Sequence, residues 1–238
     1  MNDYHYDRFT AAAYDLDGFD WPGLGKKAPN GEVTTLSGNR QSLLDFSGDF
    51  LVLELGSITC PLFQSRRGFM SDLVEQNPNV DFAILYVREA HPGVDICQHK
   101  DFTEKNAMAA KLHNEDGENR PILIDDIHGS NHKAFGSYPN SVFIINRSGC
   151  VVYRSDWNNP GATGNALKRL LSGQPAGGQG MFLPAKPPIA IATLRRAGGH
   201  ALKDFLFDLP KLIWKNAIKR NLRVLFGAKT PILPDHVC

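Results

Sequence analysis

The chain carries four cysteines, Cys60, Cys97, Cys150 and Cys238, and the stretch LELGSITCPLFQS (53–65) sets one of them where a thiol can react. Cys60 ends an apolar run and is followed at once by Pro61, a residue suited to the first turn of a helix. A cysteine just before a helix has its sulfur near unpaired backbone N–H groups and the positive end of the helix dipole. Both favour a thiolate over a thiol, and the thiolate is the nucleophile. Cys60 is therefore expected to be ionised at neutral pH. Cys150, inside a predicted hairpin, reads as a small buried apolar residue. No dithiol motif is complete around Cys60, because a CxxC pair would need cysteine at position 63, where Phe63 stands. A PxxxTxxC pattern would need proline at 53 and Ser/Thr at 57, and the chain has Leu53 and Ser57. In DDIHGSNH, Asp125, Asp126, His128 and His132 offer zinc-ligand types, with two histidines at i and i+4. No second cluster supports them, and Asp126 or Ser130 serves equally as a helix cap, so no metal is expected.

The elements that must position Cys60 follow from pattern. FLVLELG (50–56) is a short apolar run bounded by SGD and Gly56, and it reads as a buried strand. Residues 61–76 place Phe63, Phe69, Leu73 and Val74 on one side at helical spacing. Cys60 thus sits on a tight turn between strand and helix. DFAILYVREA (81–90) reads as a strand, and 101–115 as an amphipathic helix capped by Asp101. RPILIDD reads as a strand and 129–135 as a short helical piece. YPNSVFIINRSGCVVYRSD is a hairpin turning at NRSG, and TGNALKRLLSG a helix stopped by Gly173. A hairpin within 25–48 precedes all of these. The order predicts an α/β fold, a mixed central sheet with helices on both faces.

The totals bound what surrounds that sheet. At 238 residues with 42% hydrophobic residues, the chain can bury a full core. Its organisation reads as a leader (1–23), a main domain (24–172), a Gly/Pro linker (173–188) and a basic helical tail (189–238). Residues 186–238 carry ten Lys/Arg against three Asp, while the remainder has 16 basic against 22 acidic residues. The tail reads as one or two amphipathic helices broken near Pro210. Trp214, Ile218, Leu222 and Leu225 recur on one face, and Lys211, Lys215, Lys219 and Arg223 on another. Such a helix, within 200–227, can lie on an anionic membrane, dock on the domain or meet a second subunit. Nucleic acid is not expected, since the body is acidic and shows no recognition motif. No signal peptide or membrane-length apolar run is read, so the chain is expected to be cytoplasmic or peripheral to a membrane, and structural disulfides are not expected.

The segments GSITCP, DFAILYVREAHPGVD, QH and YPNSVFIINRSGCVVY resemble the iodothyronine deiodinase family, thioredoxin-fold selenoenzymes that reductively remove iodine from an aromatic ring. The resemblance runs over roughly 24–172. The family's Ser-x-Thr-selenocysteine-Pro core matches Ser57, Thr59, Cys60 and Pro61, with Cys60 at the selenocysteine position. Glu89, Ala90, His91 and Pro92 match its EAHP, and Gln98 and His99 its Gln-His pair. It implies a thioredoxin-like fold and a thiol oxidoreductase that attacks a polarised atom through Cys60. His91 and His99 would then supply protons near neutrality, and Glu89 would orient one imidazole. The Ser57 and Thr59 hydroxyls would bond the sulfur anion. Pro139, before the strand NSVFII, would face the sulfur across a cis Tyr138–Pro139 bond. Cys97, beside Gln98 and His99, would resolve an oxidised Cys60, with Cys238 as competitor.

Departures from the family shape the expected chemistry. The hormone-clamping Arg falls at Ser141 and the Trp after the family's EAHP segment has no counterpart near Val94–Ile96, which argues against thyroid hormone itself, and the family's usual resolving-thiol positions hold Ile58 and Arg120. The expected activity is reduction of a small electrophile, halogenated aromatic or otherwise, with an external thiol as reductant and no cofactor. The alternatives are a generic thiol peroxidase or disulfide reductase, and a non-catalytic membrane-associated or interaction protein.

Overall fold

The computed structural model describes residues 4–18, 21–227 and 230–238; residues 1–3 and 19–20 of the leader and 228–229 of the tail lie outside them. Seven strands form one mixed sheet: β1 (Glu32–Thr35), β2 (Arg40–Ser42), β3 (Phe50–Gly56), β4 (Asp81–Tyr86), β5 (Ile122–Ile124), β6 (Val142–Asn146) and β7 (Val151–Ser155). Their order is β2-β1-β5-β4-β3-β6-β7. β3, β4 and β5 run parallel, and the rest pair antiparallel. β3 lies at the centre with every residue buried. The helices α1 (Pro61–Gln76), α2 (Phe102–Asn114) and α4 (Pro160–Leu171) pack on the face that carries Val52, Phe82, Ile84 and Tyr86. The opposite face, with Leu53, Leu55 and Leu85, is covered by the end of α3 (Ser130–Ala134), by the first hairpin and by Phe9, Ala11, Tyr14 and Leu16 of the leader. This is the thioredoxin-like arrangement.

Local chemistry accounts for the boundaries. The Asp101 carboxylate accepts from the Glu104 N–H at 2.9 Å, and the Glu104 carboxylate accepts from the Lys100 N–H at 2.8 Å. That reciprocal pair closes the start of α2. Gly173 takes a left-handed φ of 76° after α4, which a side chain would resist. On α1 the buried residues are Phe63, Arg66 and Met70, with Leu73 and Val74 half-buried. Phe69 departs from its expected place: it is 52% exposed, with the Lys186 ammonium 5.0 Å from its ring centre.

Two expectations fail. Cys150 and Cys238 form a disulfide, with Cα atoms 5.8 Å apart. The final segment is seated on the β6–β7 hairpin, because the Asn146 side-chain amide donates to the Pro234 and His236 carbonyls at 2.9 and 2.8 Å. That seating brings together thiols 88 positions apart, and the premise that all four cysteines stay free does not hold. Cys150 is therefore no free apolar thiol and Cys238 no competitor for resolving Cys60. Among the described residues the cis peptide is Trp21–Pro22, whereas Tyr138–Pro139 is trans.

The tail docks on the body. After α5 (Pro187–Ala197), α6 (Ala201–Leu212), a π-helical stretch (Ile213–Arg220) and α7 (Asn221–Phe226) follow without a break as one rod. Pro210 lies inside α6 and does not end it. The rod's inward side is apolar along α6, where Phe205, Leu209 and Leu212 face the body, and polar beyond it. Arg220 is buried and donates from Nε to Asp156 at 3.0 Å and from Nη1 to the Gly180 carbonyl at 2.6 Å. The Trp157 indole donates to Asn216 at 3.0 Å, and Lys215 and Lys219 both reach Asp17 of the leader. Trp214, Ile218, Leu222 and Leu225 face outward instead. Removing one member of a buried ion pair strands the other's charge. Arg220→Ala is accordingly expected to cost about 3–5 kcal/mol of unfolding free energy, measured by denaturant titration against wild type.

Candidate functional site

Cys60 occupies the N-cap of α1, where β3 hands over to the helix. Its sulfur is buried, and burial pushes the thiol up to about 12. The backbone N–H groups of Phe63 and Leu62 and the Arg66 guanidinium all favour the thiolate, and Glu54 opposes it. Loss of water outweighs the helix terminus. The expectation of a resting thiolate is therefore corrected: in this closed form Cys60 is a neutral thiol. Arg66, itself buried and lowered to about 10 by desolvation, donates to the Asn140 side chain and, at 2.7 Å, to the Leu183 carbonyl. Asn140 in turn donates at 2.9 Å to Glu54, the one carboxylate inside β3, which also accepts from Arg120 at 2.6 Å and Asn158 at 2.6 Å.

Above the sulfur, the loop after β4 carries the other groups. Glu89 is fully buried and accepts four hydrogen bonds. They come from the Thr59 N–H at 3.1 Å, the Thr59 hydroxyl at 2.5 Å, the Tyr86 hydroxyl at 2.5 Å and His99 Nε2 at 3.0 Å. Because a carboxylate only accepts, His99 must carry its proton on Nε2, and in the neutral ring Nδ1 is a bare acceptor with no protein partner. Burial raises the Glu89 carboxyl, but the His99 ring and the two hydroxyls outweigh it and hold Glu89 below the ordinary range. A carboxyl so lowered stabilises the fold fully above its unfolded pKa of about 4.3, and that contribution is lost as pH falls through the folded value. Glu89→Gln is expected to lower stability at pH 7 by about 3–5 kcal/mol. It should also flatten the decline in stability below about pH 5 that Glu89 causes in wild type. Denaturant titrations at three pH values check both.

Ser57 and Thr59 do not serve the sulfur as expected. The Ser57 hydroxyl accepts from the Ala90 N–H at 3.1 Å, and the Thr59 hydroxyl, besides donating to Glu89, accepts from the His91 N–H at 3.2 Å. Both stitch the Cys60 turn to the 89–91 loop. The same loop is pinned from outside at Gly93, where a Cβ would lie 2.1 Å from the Ala197 carbonyl oxygen. Only glycine lets α5 approach so closely.

His91 is buried between Phe9 of the leader and Phe205 of α6, with ring centres 4.0 and 5.5 Å away. Its Nδ1 has no partner, and desolvation lowers the imidazole to about 3, only partly opposed by Asp204. His91 and Cys60 line the same cavity, about 110 Å³ in volume, walled by Pro139 and Trp157 and closed by Phe9, Phe205 and Leu209. Pro139 thus meets the cavity through a trans bond. Cys97 is separated from this space: its side chain is exposed and its thiol donates to the Val94 carbonyl at 3.4 Å, while Gln98 and His99 turn inward. A larger groove, about 710 Å³, lies beside the β1–β2 hairpin with His113 and Arg120. It holds no thiol, and its Arg120 is committed to Glu54 and Glu118.

The DDIHGSNH segment is structural. Asp126 accepts from the His128 and Ser130 N–H groups at 2.7 and 3.1 Å, and Asp125 from the Asn131 and His132 N–H groups. His132 is buried against the Tyr4 hydroxyl at 2.8 Å. Arg66, Tyr86 and the roof of the cavity went unread in the sequence. Arg66 had one available signal, a cation six residues after Cys60 on the buried side of α1.

A family model described as iodothyronine deiodinase matches residues 2–168, so the match takes in the leader from residue 2 and the expected 24–172 as far as 168. Thyroxine 5-deiodinases of Ovis aries and Homo sapiens are each 32% identical to this chain over 152 residues. Each alignment covers 58% of this chain, and 51% and 49% of theirs. The chain spans about half the length of the curated relatives it matches. Among solved structures, an uncharacterized conserved protein from Geobacillus kaustophilus aligns with a TM-score of 0.51 and 23% identity, over 67% of this chain and 86% of that one. A putative thiol:disulfide interchange protein DsbE from Chlorobium tepidum aligns at a TM-score of 0.48 and 18% identity, over 63% and 94%. At 23% identity the likeness to the Geobacillus kaustophilus protein is one of fold. No helix among the described residues is long and apolar enough to cross a membrane.

Proposed function

This chain belongs to the iodothyronine deiodinase family, and from that membership we propose that it is a thiol-dependent reductive enzyme in which Cys60 takes iodine, or another polarisable atom, from a small apolar aromatic molecule. The observation that carries the reading is the shared cavity: a nucleophile-type residue at a helix mouth and an unpartnered imidazole open into one apolar space. Both groups are neutral when the cavity is closed. When the cavity opens and water relieves the burial that keeps both groups neutral, transfer of the Cys60 proton to His91 creates thiolate and imidazolium together. The thiolate attacks iodine, the carbon–iodine bond breaks with its electron pair going to carbon, and the imidazolium protonates that carbon. The sulfenyl iodide on Cys60 then reacts with one external thiol, giving a mixed disulfide, iodide and a proton. A second external thiol releases Cys60 as thiol and forms the external disulfide. The sum is aryl iodide plus two thiols giving the reduced ring, iodide, a proton and one disulfide.

Glu89 acts in this scheme as a positioning residue. It fixes His99 and the Thr59 turn, and through the Thr59 hydroxyl it sets the backbone that presents His91. The relatives' name specifies removal of iodine from thyroxine; here Ser141 stands where the family's hormone clamp falls, which favours a smaller ring. The exposed Cys97 favours an external thiol over an internal partner for reducing Cys60. The test offers purified protein and dithiothreitol an iodophenol or, separately, hydrogen peroxide. Catalytic release of iodide with the de-iodinated phenol supports the reading. Turnover of peroxide alone would replace it with the thiol peroxidase alternative.

A further inference from the structure

Beyond α6 the rod has its usual sides reversed. Its polar side chains Asn216 and Arg220 are buried against Trp157 and Asp156, and its large apolar side chains point to solvent. Phe207 is 85% exposed, Trp214 57% and Phe226 84%, with Ile218, Leu222 and Leu225 between them. A surface helix normally turns such a stripe inward, and a contiguous exposed apolar patch marks an interaction surface. Spacing explains the continuity: positions 203, 207, 211, 214, 218, 222 and 225 fall three or four residues apart along one line. The π-helical turn, with its wider repeat, keeps the four-residue steps from 214 to 222 in register.

We propose that this outward stripe docks on an anionic lipid surface, with the rod lying in the plane of the interface. Charge selects that partner. The stripe is interrupted by exposed Lys203 and Lys211 and by no acidic residue, within a segment carrying ten basic against three acidic residues. The neighbouring basic residues of the rod are already matched, Lys215 and Lys219 with Asp17 and Arg220 with Asp156, so Lys203 and Lys211 remain for a partner. A second copy of the chain, related by a two-fold axis, would set the lysines of this stripe against one another with no acidic residue on it to pair them. A lipid interface accepts aromatic and aliphatic side chains among the acyl chains while lysines reach anionic headgroups. The inner side of the same rod walls the Cys60 cavity with Phe205 and Leu209. Docking would place that cavity about one helix diameter, roughly 10 Å, from the lipid. The inference does not depend on the reaction assigned to Cys60.

Co-sedimentation of the full chain with phosphatidylcholine vesicles, with and without 30% phosphatidylserine, tests it. Two lysines near a charged surface are expected to tighten binding to the anionic vesicles about 30-fold at physiological salt. Lys203→Glu with Lys211→Glu should erase that preference. Phe207→Ser, Trp214→Ser and Leu225→Ser together should abolish binding to both vesicles, with the melting temperature as the folding control because all three side chains face solvent. Equal partition on both vesicles, no partition, or binding that survives the triple substitution overturns the proposal. So does a dimer in sedimentation velocity that the triple variant converts to monomer without any vesicle binding, which would assign the stripe to a second copy.

Discussion

Iodoacetamide added to the folded protein at pH 7.5 will alkylate Cys97 and leave Cys60 almost untouched, with Cys60 reacting about a thousandfold more slowly than after denaturation. Cys97 is exposed and Cys60 is buried. Alkylation proceeds through the thiolate, and burial moves the Cys60 thiol to about 12, some three units above an ordinary cysteine. Each unit removes nine-tenths of the reactive form, before any steric exclusion. Peptide mass spectrometry over a time course separates the two sites, and labelling of native Cys60 at the Cys97 rate would refute the closed site. The same geometry explains how a protected thiol can work. The N–H groups of Leu62 and Phe63 and the charge of Arg66 stay aimed at the sulfur, so admitting water removes the opposing effect and leaves the favourable ones. Some opening is required in any case. A cavity of about 110 Å³ is smaller than the roughly 150 Å³ that accommodates benzene in an engineered core, so an iodinated ring enters only when the roof of Phe9, Phe205 and Leu209 shifts.

Cys60→Ser should reduce iodide release to the level of dithiothreitol alone, a fall on the order of 10⁴-fold or more if the protein is an efficient catalyst. Serine preserves the volume and the turn, so the melting temperature should barely change. Its oxygen ionises far less readily than sulfur and forms no iodide adduct that thiols can reduce. His91→Phe keeps a ring between Phe9 and Phe205 but removes the proton carrier, and should cost about 10²–10⁴-fold. In that variant added imidazole, or a lower pH, should not restore a wild-type profile unless solvent reaches the cavity. Full activity in Cys60→Ser would remove the thiol from the reaction altogether.

Much of the scaffold was legible from pattern because each signal was local. The apolar run of β3, Pro61 at the first turn of α1, Asp101 at the start of α2 and the NRSG turn each specify their own few residues. The resemblance likewise identified Cys60, Glu89, His91 and His99 before any contact was known. What stayed hidden depends on contacts between distant segments. The acidity of Cys60 turned on burial in a cluster that includes Ile84, Tyr86, Ala90 and Ala109, far away in the chain, and that burial outweighs the helix terminus beside it. The outward stripe of the rod reversed the usual reading of an amphipathic helix because Asp17 and Asp156 offered its cations partners on the inside. The Ser57 and Thr59 hydroxyls lie close in sequence to Cys60 but were taken up by the 89–91 loop, a preference that composition could not display.

The Cys150–Cys238 bond gives the roof an unusual mechanical status. It turns residues 150–238 into a covalent ring that begins at β7, passes through α4, the linker and the rod, and returns to the same hairpin. The part of the roof that lies in this ring, Phe205 and Leu209, cannot swing off like a free arm; it can only arch while anchored at both ends, which limits how large a guest it admits. Because Cys150 is wholly buried, a small thiol that regenerates Cys60 would reach this clasp chiefly from the Cys238 side. Cutting it would turn a bowed strap into a hinged flap.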